Sequence, residues 1–240
     1  MLTLNSCFIS TLDWHRSEQD IVDRRLVLCE FLATHYSAPE MIMECKWCKE
    51  FTVRCCQHRD ESCHHWRLIF TDGACSNNGS EGAVAGIGVA MGTRGESQWS
   101  IPVTDDVDSL SHRRTSQRTE LLAALEGFHI ACEVFDSSAE SIHKPIKEKA
   151  FVIATDSEYV VKGITEWLPD WKNKGWRTSA GKTPSNLDLW KRLDNDLAER
   201  EREGLRMAFW HVPRELNTVA DKLAKTASAR AARDNMNVAY

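Results

Sequence analysis

Residues 67–73 read RLIFTDG, an apolar run that ends at Asp-Gly. This pattern is typical of a buried β-strand followed by a turn. Two more strands are predicted downstream, at 83–91 and 98–103, and glycines at 92 and 95 suit a hairpin connection between them. The folded domain is therefore expected to begin with a meander of three strands.

The segments that follow alternate between helix and strand. Apolar residues recur at helical spacing from Glu120 to 135, which predicts a helix. Residues 150–155 form a continuous apolar run that ends at Asp156, as in a buried and parallel strand. The order along the chain therefore passes from strands into βα units.

The remainder completes the pattern. Residues 159–190 contain a helix or two, residues 189–197 form another helical face, and a charged loop is expected at 144–149. The last strand is predicted at 206–212, and Asn217 is placed to cap a final helix. The order β-β-β-α-β-α-α-β-α predicts an α/β fold, a five-stranded mixed sheet flanked by helices.

Composition narrows the class of protein. The chain has 240 residues, of which 42% are hydrophobic and 27% charged, so collagen, coiled coil and wholesale disorder are not expected. The longest apolar runs are far shorter than the roughly 20 residues that span a bilayer. With a net charge of −5, the chain as a whole does not attract nucleic acid, so binding to nucleic acid would need a local basic surface.

The first 65 residues differ from the rest. Residues 1–44 mix charges with short apolar runs whose spacing loosely suggests one helix, and residues 45–65 are rich in Cys and His. We therefore expect a small Cys-rich extension over 1–65, the main domain over 66–232 and a short tail over 233–240. The start shows no signal-peptide pattern, so we expect an intracellular protein, in nucleus or cytoplasm, with mitochondrial import left open.

Four acidic residues are candidates for one site. Asp72 and Asp156 each follow a predicted strand, and ligands of open α/β sheets bind beyond the carboxyl ends of the strands. Glu120 and Asp221, on the first and last helices of the main domain, can reach the same edge. Four carboxylates gathered without basic partners would repel one another, and Mg²⁺, which prefers oxygen ligands, would relieve that repulsion. The simpler interpretation of any one strand-end aspartate is a turn or cap residue.

The residues around these acids extend the pattern. Residues 70–79 read FTDGACSNNG, residues 119–121 TEL, residues 155–160 TDSEYV, residues 163–182 GITEWLPDWKNKGWRTSAGK, residues 189–193 LWKRL and residues 220–224 ADKLA. Together they resemble the catalytic domain of type 1 ribonuclease H, and the similarity runs from about residue 66 to 229.

The resemblance implies a ribonuclease H-like fold and an endonuclease. Such an enzyme cuts the RNA strand of RNA/DNA hybrids with two Mg²⁺ ions, for which Mn²⁺ can substitute, and leaves 5′-phosphate and 3′-hydroxyl ends. It implies the hybrid as partner and no small-molecule cofactor, and we expect a monomer without a membrane. Asp72, Glu120, Asp156 and Asp221 fall on the four metal-binding catalytic carboxylates of the family.

The resemblance also implies substrate contacts. Asn78 and Gln117 fall on positions that touch the RNA strand near its 2′-hydroxyls, the group that distinguishes RNA from DNA. The remaining positions correspond to a phosphate pocket and a DNA-binding channel: Arg113, Thr115 and Asn186 for the first, and Tyr159, Trp171 and Ser179 for the second. Of the tryptophans, Trp167 and Trp190 are assigned mainly to the core and Trp171 mainly to the substrate. Residues 162–182 carry a local charge of 5 − 2 = +3, similar to the basic protrusion of the family.

The sequence departs from the family pattern near its last strand. Many members have a longer loop there with a catalytic histidine. Two alignments are possible. If the sequence is aligned without gaps backwards from Asp221, His211 corresponds to that catalytic histidine. If the tripeptide His211-Val-Pro is aligned with the same pattern at the strand end of relatives, His211 ends the strand and the loop is too short to contain the catalytic histidine. We favour the second alignment. Asn217 is an auxiliary candidate under either.

The Cys/His segment leaves two interpretations open. Seven of nine cysteines precede residue 66, and Cys45-Lys-Trp-Cys48 is a CxxC motif that would supply half of a structural zinc site. The second half stays open among Cys55, Cys56, His58, Cys63, His64 and His65, of which we select Cys56 and Cys63. The alternative is a set of reduced cysteines in a surface segment.

For the whole chain, the alternatives to the hybrid-specific nuclease are a non-catalytic nucleic-acid-binding protein on the same fold and a different nuclease of the same superfamily.

Overall fold

The computed structural model describes residues 18–109, 112–139 and 150–238. The expected loop at 144–149, Cys7 and the start of the chain lie outside the described residues. No helix in these three ranges is long and apolar enough to cross a membrane.

The main domain contains the expected five-stranded mixed sheet. Its strands are β5 (Trp66–Ser76), β6 (Val84–Ala90), β7 (Gln98–Pro102), β8 (Ala150–Thr155) and β9 (Arg206–His211), and they are numbered after four short strands of the extension. The meander β5–β6–β7 is antiparallel, whereas β8 runs parallel to both β5 and β9. The sheet order is therefore β7–β6–β5–β8–β9, as the fold prediction requires.

The helices of the main domain also follow the predicted order. They are α3 (Ser116–Ala139), α4 (Glu158–Lys162), α5 (Leu168–Asn173), α6 (Leu187–Arg202) and α7 (Thr218–Val238), with two short helices of the extension before them. A π-helical turn, Gly163–Trp167, joins α4 to α5. An added Cβ at Gly163 would lie 2.0 Å from the Trp190 ring, so glycine is needed where this turn packs on α6. Helix α7 continues through the boundary that we expected at 232.

The extension departs from the single helix that we predicted. Its elements are β1 (Asp20–Val22), β2 (Arg25–Val27), α1 (Glu30–His35), α2 (Ala38–Met41), β3 (Ile42–Glu44) and β4 (Phe51–Val53). Hairpin β1–β2 pairs with β9 through Arg25 and Phe209, and hairpin β3–β4 pairs with β5 through Thr52 and Arg67. The prediction of one helix was wrong because these strands are only three residues long and depend on partner strands that are distant in sequence.

Alternation along the strands divides the core into two layers. Ile69, Phe151 and Phe209 point to the face covered by α3 to α6. Their neighbours Leu68 and Phe70 point to the opposite face. That second face is covered by α7 and by apolar residues of the extension: Leu26, Leu32, Met41, Phe51 and Val53. The extension is therefore part of the described core rather than an appendage.

Candidate active site

The four predicted carboxylates line one open cleft of about 530 Å³, which we call the acidic cleft. Each comes from a different element: Asp72 from β5, Glu120 from the start of α3, Asp156 from the residue after β8 and Asp221 from the first turn of α7. The structure therefore brings together all four side chains.

Asp72 lies within β5 and not after it, which corrects the prediction. Strand β5 continues to Ser76 because β6 pairs with it along that length, and Asp72 lies opposite Gly88. On its other side, pairing with β8 ends at Phe70 and Ala154. Asp72 is therefore beyond the end of β8, and this places it in the cleft beside Asp156.

Burial and like charge raise the pKa of the central carboxyl groups. Desolvation is the largest cause at Asp72, and the charges of Asp156, Asp221 and Glu120 add to it, which raises the pKa of Asp72 to about 7. Burial also raises the pKa of Glu120, although a hydrogen bond from Ser157 opposes the shift. An additional positive charge in this cleft would therefore be favourable.

Two neutral side chains orient the carboxylates. The Ser157 hydroxyl donates to Glu120 Oε2. Asn217 Nδ2 donates to Asp156 Oδ1 at 2.7 Å and to the Thr71 carbonyl at 3.1 Å, and the Asn217 side chain is fully buried. Asn217 precedes α7 as predicted, but its Oδ1 has no hydrogen-bond partner in the described part of the chain, so the side chain does not act as the expected cap. It positions Asp156 instead.

Two basic side chains contact the acidic cleft, contrary to the expectation of acids without basic partners. Lys225 Nζ lies 2.7 Å from Asp221 Oδ2, and Arg214 donates to Asp221 Oδ1 at 3.1 Å and approaches Asp156 to 4.0 Å. Both basic side chains are more than 60% exposed, and exposed ion pairs contribute little to stability. They can exchange partners at little cost.

The donor set fits a divalent cation. All four candidate ligands are carboxylates, which are the hard oxygen donors that Mg²⁺ prefers. Burial and then the neighbouring carboxylates raise the pKa of Asp72, and a cation among the four groups would oppose both effects. Asp72, Glu120, Asp156 and Asp221 are the residues that would hold it.

One group of predicted substrate residues lies where α3 begins. Asn78 Oδ1 accepts a hydrogen bond from the Ser116 amide at 3.0 Å, and Thr115 Oγ1 accepts one from the Arg118 amide at 3.2 Å. Gln117 is exposed in the first turn of α3, and Arg113 is exposed just before it. Ser116 itself lines the acidic cleft. These polar groups therefore border the carboxylates.

A second group of predicted substrate residues lies where α4 contacts the start of α6. Asn186 Nδ2 and Trp190 Nε1 both donate to the Tyr159 hydroxyl, each at 3.1 Å. That hydroxyl donates in turn to the Ser185 carbonyl at 3.2 Å. Asn186 has a φ of 56°, a left-handed conformation that Asn tolerates better than most residues. The two predicted residues, Tyr159 and Asn186, are in direct contact.

Trp171 does not occupy the exposed position that we predicted. Its side chain is only 8% exposed, and its ring packs 5.8 Å from Trp190 and 5.9 Å from Trp167. Its apolar ring is covered because α5 packs against α6 at this point. Trp190 is fully buried, as expected, whereas Trp167 is more exposed than Trp171. Ser179 is exposed in the turn 178–182.

His211 is the last residue of β9 and pairs with Thr155. Its exposed side chain lines a separate cavity with Arg25 and Glu158. A 3₁₀ turn, Arg214–Leu216, then leads directly into α7, so the connection is short. This placement is the one that the second alignment predicts.

The sequence analysis missed Arg118, which braces the start of α3. Its guanidinium is buried and bonds both oxygens of the buried Asp108 at 2.7 Å, and it also bonds Asp188 of α6. These carboxylates raise the pKa of Arg118 further, so the group stays charged. Arg118 stands between the predicted substrate residue Gln117 and the quoted stretch 119–121, but no local signal distinguishes a buried arginine from an exposed one.

The cysteines predicted to share a zinc ion do not form one group. Cys45 and Cys48 lie with His64, and we call these residues the three-ligand cluster. Cys63 lies with Cys55, His58 and His65, which we call the four-ligand cluster. Cys56 is in neither group of the described residues, and its thiol forms a hydrogen bond with Cys29. The predicted set of Cys45, Cys48, Cys56 and Cys63 is therefore wrong.

A mixed sheet flanked by helices, with four carboxylates in one open cleft, defines an α/β protein with a candidate divalent-cation site. The RNase H family model matches residues 65–229. The chain therefore belongs to the ribonuclease H family, which makes it a hydrolase with nuclease activity. Divalent metal ions are typical cofactors of this family.

Individual relatives agree with this assignment. Ribonuclease H of Pseudomonas paraeruginosa is 33% identical over 162 residues, which are 68% of this chain and 93% of that protein. Ribonuclease H1 of Mus musculus is 34% identical over 163 residues, 66% of this chain but only 48% of the mouse protein. The solved structure of LC11-RNase H1 in complex with an RNA/DNA hybrid has a TM-score of 0.44 at 20% identity, covering 68% of this chain and 97% of that one.

Proposed function

We propose that this ribonuclease H is an endonuclease that hydrolyses the RNA strand of RNA/DNA hybrids with two Mg²⁺ ions. The products carry 5′-phosphate and 3′-hydroxyl ends. The convergence of Asp72, Glu120, Asp156 and Asp221 in the acidic cleft carries this proposal. The cleft is open, so it can admit a nucleic-acid backbone rather than only a small molecule.

The four carboxylates would hold the cations. A pair of such ions supplies positive charge that activates a water molecule and stabilises the leaving oxygen of a phosphodiester. The contribution of the chain is the placement of the ligands. Ser157 fixes Glu120, and Asn217 fixes Asp156 from a fully buried position, so both ligands are oriented before substrate binds.

Arg214 and Lys225 have a separate role. In the described structure they neutralise Asp221, and both are exposed at the cleft. Once cations bind Asp221, these side chains become available to phosphate oxygens, which are the preferred partners of Lys and Arg at nucleic-acid interfaces. Arg214 and Lys225 would therefore provide positive charge for the substrate at the edge of the acidic cleft.

Substrate selection depends on the polar groups that border the cleft. Asn78 and Gln117 are placed to contact the RNA strand, where a 2′-hydroxyl offers both a donor and an acceptor. Arg113, Thr115 and Asn186 would bind a phosphate of the DNA strand. Tyr159 and Ser179 extend that surface, whereas Trp171 supports it from within the core.

In the basic protrusion, residues 162–182, Lys172 forms an ion pair with Asp194 and Lys174 forms one with Asp170. The protrusion therefore has fewer unpaired positive charges than its sequence indicates.

Cleavage of an end-labelled RNA/DNA hybrid in Mg²⁺ tests the proposal. Duplex RNA, duplex DNA and single strands serve as competing substrates, and mass spectrometry identifies the product ends. We expect cutting of only the RNA strand of the hybrid, lost in Asp156→Asn. The matched control is Asp196→Asn, which removes a partly buried carboxylate of α6 that does not line the acidic cleft. Tight hybrid binding without cleavage in Mg²⁺ or Mn²⁺ would favour a binding protein, and cleavage of duplex DNA would favour a different nuclease.

A further inference from the structure

The Cys/His segment has no part in the proposed reaction, and residues 45–64 lie outside the family match. Within it, the four-ligand cluster gathers two thiols and two imidazoles whose ligand atoms all lie within 4.8 Å of one another. Cys55 Sγ lies 3.8 Å from His58 Nδ1 and 4.0 Å from His65 Nδ1. Four such side chains converge on one point.

These separations match a tetrahedral zinc site. Zn–S bonds of about 2.3 Å and Zn–N bonds of about 2.0–2.1 Å place neighbouring ligand atoms roughly 3.3–3.8 Å apart. The Cys55 Sγ distances to His58 Nδ1 and His65 Nδ1 need to contract by only about 0.3–0.5 Å, and all four ligand atoms lie within 4.8 Å of one another. Thiolate and imidazole ligands also favour zinc over Mg²⁺. We propose that Cys55, His58, Cys63 and His65 hold one structural zinc ion.

The position of the cluster indicates a structural rather than a catalytic ion. Four protein ligands complete the tetrahedron and leave no open position. The cluster also precedes β5, whereas Asp72 lies seven residues beyond His65, or roughly 23 Å along an extended strand. The ion would therefore be remote from the acidic cleft.

The connection between β4 and β5 explains what the ion stabilises. Cys55 follows β4 by two residues, and His65 directly precedes β5. These strands share only one residue pair, Thr52 with Arg67, and the Phe51 amide adds a hydrogen bond to the Met91 carbonyl at 2.7 Å, so few backbone hydrogen bonds hold β4 at this edge. Zinc would close the loop 54–65 and tie the extension to the main domain.

The three-ligand cluster is separate. Cys48 Sγ lies 3.1 Å from His64 Nε2, and Cys45 completes the group. His64 lies between Cys63 and His65 in sequence, so consecutive residues serve the two clusters. The proposal concerns the four-ligand cluster alone, and its test must remove zinc from that cluster.

Zinc analysis of the full-length chain, purified under reducing conditions, is the first test. We expect Cys63→Ser to lose one equivalent of zinc relative to the wild type. The control is Cys56→Ser, which removes a cysteine beside the four-ligand cluster and should retain the wild-type content. A wild-type protein without zinc, or equal zinc content in all three proteins, would overturn the proposal.

A second pair of variants guards against misfolding of Cys63→Ser. His58 is the exposed ligand, so His58→Ala should keep its fold, and His35→Ala changes an exposed histidine of the extension outside the cluster. With a zinc-selective chelator in excess Mg²⁺, we expect His58→Ala to release zinc at least about tenfold more readily than His35→Ala. The same treatment should lower the wild-type Tm by at least about 5 °C. Identical zinc affinity in both variants would rule out this ligand set, whether or not the protein cleaves hybrids.

Discussion

Asp72 is the residue at which stability and function oppose each other. The unfolded chain releases the Asp72 proton near pH 3.8, whereas the folded protein keeps it until about pH 7. Between these values the folded state binds more protons, so the free energy of unfolding falls as pH rises. In buffer without added divalent cations, we expect the free energy of unfolding to fall between about pH 4 and 7. Asp72 should account for up to about 4 kcal/mol of this decrease.

Asp72→Asn isolates this contribution. The variant cannot ionise at this position, so its stability should decline less across the same pH range, and it should exceed that of the wild type at pH 8. Urea unfolding at several pH values measures the difference. Equal pH dependence in the two proteins would show that burial and the neighbouring carboxylates do not raise the pKa of Asp72. Activity should be lost in the variant, because Asp72 is a proposed cation ligand.

Arg118 is the largest single electrostatic contribution that the structure adds to the sequence analysis. Arg118→Ala would remove the close charged partner of the buried Asp108 and leave it beside His112 at 3.7 Å, so we expect a loss of about 3–5 kcal/mol in the free energy of unfolding. Arg113→Ala removes an exposed arginine five residues earlier and should change stability by about 0.5 kcal/mol or less. Denaturant titration of both variants compares them. Similar losses would mean that the Arg118 network contributes no more than a surface charge.

The position of His211 predicts a small effect on turnover. Since its side chain lines a cavity separate from the acidic cleft, His211→Ala should change kcat by less than about threefold, below about 1 kcal/mol. Asp156→Asn should lose about a thousandfold or more in the same assay. Steady-state cleavage of the hybrid measures both. A large loss of turnover in a correctly folded His211→Ala would restore the first alignment, with His211 as the catalytic histidine.

Individual residues differ in how far the sequence could place them. The four carboxylates were predictable because the strand ends and the surrounding motif both indicate them. The buried state of Trp171 and the two separate Cys/His groups were not, since they depend on which face packs against which neighbour. Cys55 and Cys56 are adjacent in sequence, yet only Cys55 belongs to a cluster.

At the scale of elements, helix α7 depends on glycine in β6. An added Cβ at Gly88 would lie 2.1 Å from the Ala220 carbonyl oxygen and 2.6 Å from the Ala224 amide. Helix α7 therefore packs directly on the strand backbone, and Asp221 follows Ala220. Gly88→Ala should push α7 away, cost about 1–3 kcal/mol in stability and lower kcat by displacing Asp221.

Gly95→Ala provides the matched control for this prediction. Gly95 lies in the short connection before β7, and an added Cβ would meet no heavy atom within 4 Å in the described part of the chain. Thermal unfolding and hybrid cleavage should both match the wild type in this variant. If Gly88→Ala behaved the same way, α7 would have to tolerate a shift that the geometry does not allow.

Elements were predicted best where local pattern and tertiary context agree. The continuous apolar run at 150–155 became β8 with the same bounds, because a strand buried on both faces needs no polar alternation. The strands of the extension were missed because three-residue segments carry too little periodicity. Pairing with β5 and β9 supplies what the local sequence lacks.

At the scale of the whole molecule, the extension completes the core. Strands β5 and β8 direct Leu68, Phe70 and Val152 to the face that α1, α2 and the short strands cover. The Pseudomonas paraeruginosa relative is matched over 93% of its length, which leaves that protein little chain for a similar cover. The family fold therefore does not require an extension, but the apolar second face of this chain does.

Removing residues 1–65 should consequently expose this face, the edge of β9 and the part of β5 that pairs with β4. Each large apolar side chain that returns to water costs about 1.5–3 kcal/mol, and several would do so at once. That sum is comparable to the roughly 5–15 kcal/mol that stabilises a typical domain. We expect the fragment 66–240 to aggregate or to unfold well below the Tm of the full chain, although it retains all four carboxylates. Light scattering and thermal unfolding of both proteins test this. A soluble fragment with an unchanged Tm would show that the extension only rests on a sheet that is already stable.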